Sequence, residues 1–159
     1  KMNFAIDLNN FGLENLSFLN SKKNIIMEGQ FTKLNFLTEW FTMNGLYFNF
    51  PIEIKNISLG EKNIVKFDAY TKNNISIIQY FSTLEQKLLD FYSIIKGKSL
   101  KKNCLLTKQL YSGYMKVILE KITLCSTSKQ LILKISGIWE TDNEIGITYK
   151  LFEGESINV

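Results

Sequence analysis

The residues best suited to chemistry in this chain are aromatic rings and lysines that share alternating segments. Trp40, Tyr47, Tyr70, Tyr114 and Trp139 fall opposite the more apolar phase of their stretches, with Lys33, Lys66, Lys116, Lys134 and Lys150 near them. Such rings offer flat faces on which nucleobases stack, at about 1–3 kcal/mol per base, while ammonium groups follow a phosphate backbone. All 19 basic residues are lysine; there is no arginine. Lysine meets phosphate as a point charge, without the bidentate fork that reads guanine. The pattern points to backbone tracking that does not depend on base sequence. The same rings also suit a core or a protein interface, and a protein-interaction module without nucleic acid stays open.

Other chemistry is narrower. Glu140, Asp142 and Glu144 recur at alternate positions, and a Mg²⁺-dependent nuclease is the enzymatic alternative they allow. Acids on a turn are more often solvated, and the expectation is a binding protein, not an enzyme, without cofactor or metal. The chain has no histidine, which excludes Ser-His-Asp and Cys-His catalysis and every histidine-containing zinc site. Cys104 and Cys125 are too few and too far apart for a zinc motif, and read as buried thiols in a reducing, intracellular compartment. Lys96, Lys98, Lys101 and Lys102 crowd the end of a predicted helix. They suit its negative pole as a solvated cluster, with a phosphate-contacting patch as the alternative. A net charge of +4 is mildly basic and compatible with nucleic acid.

These residues need strands to position them. Asn24–Leu37 reads as a strand, with a change of phase near Lys33 that predicts a bulge or bend. Asn44-Gly45 between two alternating runs, Thr38–Met43 and Leu46–Pro51, predicts a tight hairpin. Ile52–Lys62 reads as a loop and Asn63–Tyr70 as a strand. Ile75–Lys96 is the one clear helix, with Ile77, Phe81, Leu84, Leu88, Phe91 and Ile95 in a stripe and Gly97 as its stop. A short helix or turn over Leu105–Tyr111 and a strand over Gly113–Ile122 follow. Two alternating strands around Thr141-Asp142-Asn143 then close the pattern, with Ile145, Ile147, Tyr149 and Leu151 in one phase. Near the N-terminus, Met2–Leu8 and Leu16–Leu19 are weaker strand candidates.

At 159 residues the expectation is one domain, residues 1–159. No run approaches the ~18 apolar residues of a membrane-spanning helix, and the first residues lack the order of a signal peptide. Three main strands, a long helix and three more strands, joined by short antiparallel connections except at the helix, predict a mainly β chain. An OB-fold-like barrel with the helix between the third and fourth main strands is the leading architecture, and an α+β sheet with one packed helix the competitor.

Leu133-Lys134-Ile135-Ser136-Gly137-Ile138-Trp139-Glu140, followed by Ile145-Gly146-Ile147-Thr148-Tyr149-Lys150, resembles the C-terminal strands of single-stranded DNA-binding proteins of large DNA viruses and phages. Leu110-Tyr111-Ser112-Gly113 and the strand after it fit the same pattern, so the resemblance covers roughly the last third. It implies an OB-fold, single-stranded DNA as ligand (with RNA as the alternative), and work in replication, recombination or repair beside other replication proteins. For a viral source it implies the host cytoplasm or nucleus. Phage members carry a strongly acidic C-terminal tail for partner contacts, whereas Phe152–Val159 is only weakly acidic here. Self-association is left open.

Overall fold

The computed structural model describes residues 12–19, 22–23, 29–39, 42–119 and 129–155. Trp40, Phe41, Cys125 and the predicted strand Met2–Leu8 lie outside them.

The long helix, α1 (Lys72–Lys96), starts and stops on local chemistry. The Thr71 side chain accepts from the Asn74 N–H, which caps the N-terminus. At the other end Gly97 adopts φ 63° and ψ 28°, a left-handed conformation that costs glycine little. The Gly97 N–H then reaches the Ile94 carbonyl and the Lys98 N–H the Ser93 carbonyl, which is a Schellman motif. The helix starts three residues before the predicted Ile75, because Asn73-Asn74 is not the break it resembles. Asn74 is fully buried and bonds the Glu53 N–H, the Glu53 carbonyl and the Asp68 carbonyl, tying the helix start to the two strand ends before it. The buried stripe is Ile78, Phe81, Leu84, Leu88, Leu89 and Tyr92. It is rotated from the predicted one: Ile77 and Phe91 are half-buried, and Ile95 is exposed.

The strands are β1 (Leu16–Phe18), β2 (Lys22–Lys23), β3 (Gln30–Leu37), β4 (Thr42–Met43), β5 (Leu46–Asn49), β6 (Ile54–Ser58) and β7 (Ile64–Phe67). After α1 come β8 (Lys101–Lys102), a second helix α2 (Leu105–Ser112), β9 (Tyr114–Ile118), β10 (Lys129–Glu140) and β11 (Glu144–Glu155). The chain is mainly β, as the alternation predicts. Neighbouring strands run β1-β3-β10-β11-β9-β7-β6, with β2 and β4 on β3, β5 on β10 and β8 on β11. Among the described residues no pairing joins the two ends of this path, so closure into a barrel is not found.

The central pair, β10 and β11, lends each outer edge to two strands. β3 pairs with β10 over residues 137–140 and β5 over residues 132–135. On the far side, β8 pairs with β11 at Glu144 and Ile145, and β9 at Leu151 and Phe152. The last two pairings are parallel, which corrects the all-antiparallel expectation. The β8–α2–β9 segment carries the chain back in the same direction through a helix, as a parallel connection must.

Three local expectations change. Asn44-Gly45 does not pair β4 with β5; β4 pairs with β3 and β5 with β10. The irregularity assigned near Lys33 belongs to the partner strand, between Ile135 and Gly137, while Thr32, Leu34 and Phe36 keep one buried phase. Ile52–Lys62 contains β6, paired with β7 and exposed at every residue, so it carries no alternation to read.

The inward face packs against α1. Leu34, Leu46, Phe48, Val65, Met115, Val117, Leu133, Ile135, Ile138, Ile145, Ile147 and Leu151 meet Ile78, Phe81, Leu88 and Leu89 in one core. Burying each such side chain stabilises the fold by about 1.5–3 kcal/mol. In β3, β5, β7, β9, β10 and β11 the other phase faces away from that core.

Candidate nucleic-acid interface

Register places the outward residues side by side. Lys134 of β10 lies between Tyr47 of β5 and Lys150 of β11. Its ammonium stands 5.1 Å from the centre of the Tyr47 ring, a cation–π contact, and Phe152 meets the same ring edge-on at 6.1 Å. Lys116 precedes Val117 as Lys150 precedes Leu151, and those two followers are bridged. Tyr47, Lys134, Lys150 and Lys116 thus form a row across four strands. Ile64 continues it opposite Lys116, and Lys66 sits opposite Tyr114. On the other flank Lys33 is opposite Gly137, which is opposite Thr148.

Eight of the ten residues singled out in the sequence therefore share one face: Lys33, Tyr47, Lys66, Tyr114, Lys116, Lys134, Trp139 and Lys150. Tyr70 does not. The strand ends at Phe67, and Tyr70 stands exposed in the turn before α1, against Tyr111. Trp40 lies outside the described residues.

Position on the face does not make every ring a platform. Trp139 is only 7 % exposed, outside the main core, and its indole lies across Gly146 of the neighbouring strand. A Cβ at Gly146 would come within 2.3 Å of that ring. Phe31 covers Gly137 and Ile132 covers Gly154 in the same way. A large side chain laid over a bare glycine holds two strands together, so Trp139 positions the sheet and leaves no open ring face for a base. Tyr114, 51 % exposed, and half-buried Tyr47 keep accessible faces. Sequence reasoning passed over Phe152, Ile118 and Lys22. Phe152 and Ile118 are a bridged pair in the outward phase of strands already singled out, and Lys22 is opposite Phe31. Phe152 was legible from its phase with Lys150; Lys22 was not, because β2 is two residues long.

The face is positive by omission as well as by lysine. The outward positions of β3, β5, β7, β9 and β10 carry no carboxylate; in that phase of β11 the described acid is Glu144, at its start and level with Lys101. None of Lys33, Lys66, Lys116, Lys134 and Lys150 pairs with a carboxylate among the described residues. Glu140 points inward. Its carboxylate accepts from the Tyr92 hydroxyl at 2.7 Å and from Lys98 at 2.5 Å, and Tyr92 also contacts Thr32. Burial pushes the Glu140 carboxyl up, but the bonds from Lys98 and Tyr92 and the charges of Lys98 and Lys96 outweigh it and hold it below its ordinary value. Among the described residues no three His, Cys, Asp or Glu side chains are gathered as a metal site. The lysine cluster after α1 is also largely occupied: Lys98 by Glu140, Lys102 by Asp90, and Lys96 over the Tyr92 ring.

A second acid, Glu85 of α1, is fully buried where α2 begins. Burial pushes its carboxyl up to about 7, against weaker lowering by the Thr107 and Leu106 N–H groups and the Cys104 thiol. The Cys104 thiol is pushed up by burial and by Glu85.

No family model, curated protein or solved structure matches this chain. No described helix is long and apolar enough to cross a membrane.

Proposed function

We propose that this protein binds single-stranded DNA without strong sequence preference, across the outward face of its sheet. One observation carries the reading: lysines and rings from β3, β5, β7, β9, β10 and β11, separated by up to 117 residues of chain between Lys33 and Lys150, share one carboxylate-poor face. A solvated charge pattern has no need to gather there. Phosphates meet Lys33, Lys134, Lys150, Lys116 and Lys66 as point charges, and bases stack on Tyr47, Tyr114 and Phe152. The lack of arginine forks leaves base identity largely unread.

The resemblance of the C-terminal strands supports the same reading. With it come an OB-fold-like barrel architecture, a role in replication, recombination or repair beside other replication proteins, and a viral source. These belong to the proposal.

The test is titration of a labelled oligonucleotide at about 50 and about 200 mM salt. With four or five phosphates neutralised, the expected slope of log affinity against log salt is about −3, so affinity falls roughly 50- to 100-fold between the two. No binding at the lower salt, or tight binding indifferent to salt, overturns the proposal. RNA and duplex competitors rank the nucleic acids.

One observation favours the protein-interaction alternative. β6 is a sheet edge with Ile54, Ile57 and neighbouring Leu59 exposed, the form of edge to which a partner strand adds. On that reading the oligonucleotide does not bind.

A further inference from the structure

The far edge of β11 has a gap. β8 is bridged to it at Glu144 and Ile145 and β9 at Leu151 and Phe152, so residues 146–150 lie between the two, beside α2. A cavity of about 390 Å³ opens there, within the size range of small-molecule sites. Its lining comes from both phases of the sheet. Lys116, Lys150 and Ile118 belong to the outward phase; Met115 and Tyr149 to the inward phase; Gln109 reaches in from α2. The cavity thus draws on residues of both phases, beside the Leu151–Val117 bridge, and combines two ammonium groups with apolar side chains.

The polar groups within it are oriented. The Tyr149 hydroxyl donates to Gln109 Oε1 at 2.5 Å. That bond turns the Gln109 amide so that its Nε2 donors face away from Tyr149, and among the described residues no acceptor takes them. Two N–H donors in a cavity lined also by two lysines match a base edge that carries a carbonyl oxygen beside a phosphate backbone.

We propose that this cleft between β9 and β11 takes one nucleobase of the bound strand, and that Gln109 favours a carbonyl-bearing base such as thymine over adenine. The inference rests on the single-strand reading and adds a weak preference at one position of a tolerant face. Lys116 and Lys150 hold the flanking phosphates, while the exposed Ile118 side chain packs against the ring. Tyr149 is a positioning residue, because it acts through the Gln109 amide.

The full chain is titrated with a thymidine oligomer, an adenosine oligomer and an abasic oligomer, each of about 12 nucleotides, a length within the range of such sites. Gln109→Ala is expected to weaken the thymidine oligomer by about 3- to 10-fold, the worth of one neutral hydrogen bond, and to change the adenosine oligomer by less than about 2-fold. Lys134→Gln weakens both equally. A folded Gln109→Ala with an unchanged thymidine-to-adenosine ratio overturns the proposal. The wild-type chain gives a second measurement: the Gln109 side-chain amide resonance should move with the thymidine oligomer and stay put with the abasic one. If it stays put with both while the Lys134 and Lys150 backbone signals move, the base cleft is wrong and the sheet-face reading survives. If no oligomer binds, the single-strand reading itself falls.

Discussion

At the scale of single residues, lysine and glutamate have separable jobs. Lys134 and Lys150 pair with no carboxylate among the described residues, so replacing either with glutamine removes charge from the face without unpairing a buried group. Each replacement should reduce the salt slope of oligonucleotide binding by about 0.7 and leave thermal unfolding almost unchanged. Glu140 is the opposite case. Glu140→Ala removes the carboxylate that accepts from both the buried Tyr92 hydroxyl and Lys98 and should destabilise the fold by about 1–3 kcal/mol, measured by denaturant unfolding. The Glu140 carboxyl is held below its ordinary value. Its contribution is therefore present above that ordinary value and fades as pH falls through the folded one, so the mutational loss should shrink in acid. Glu85 has the reverse sign. Folded, it keeps its proton up to about 7, against 4.5 for an unperturbed glutamate. Between those values the folded state binds more protons, so stability falls as pH rises and levels off above about 7. Glu85→Gln stays neutral. It should stabilise the protein by about 2–3 kcal/mol near pH 8 and change little near pH 4.5, read from unfolding midpoints across pH.

At the scale of elements, glycine positions report where backbones touch. Gly146 lies beneath the Trp139 indole, and a valine there would force the ring off the neighbouring strand. Gly146→Val should cost about 1–3 kcal/mol, the usual penalty of overpacking, and lower oligonucleotide affinity by loosening the Lys134–Lys150 pair; melting and titration of the same variant check both. Element identity followed local signals where those were strong. The helix was legible from its stripe and from Gly97, and β10 and β11 from their alternation. The start of α1 was not, because Asn74 looks like a breaker until its partners Glu53 and Asp68 are beside it. β6 was invisible for a related reason: all five of its residues are exposed, so no buried face writes a period into them.

At the scale of the whole molecule, the candidate site exists only through pairing. Strand phase depends on residues two apart, and the amino acids at Lys33, Tyr47, Lys66, Tyr114, Lys116, Lys134 and Lys150 already declared theirs. That much of the face was readable without coordinates. Phase alone does not say which strands are neighbours. The Tyr47–Lys134–Lys150–Lys116 row needs β5 on β10 and β9 parallel to β11. Those pairings are set by long-range packing of the core against α1, which no short stretch of sequence encodes. The same distinction decided the rings. By sequence Tyr47 faces outward, whereas Trp139 shares the phase of Ile135 and Gly137 and could be either; the irregularity between Ile135 and Gly137 turns it outward. Only the glycine opposite Trp139 and the lysine opposite Tyr47 made one a clamp between strands and left the other half-open. The cleft at Gln109 is further still from the sequence, since it is a space between β9, β11 and α2 and belongs to none of them alone.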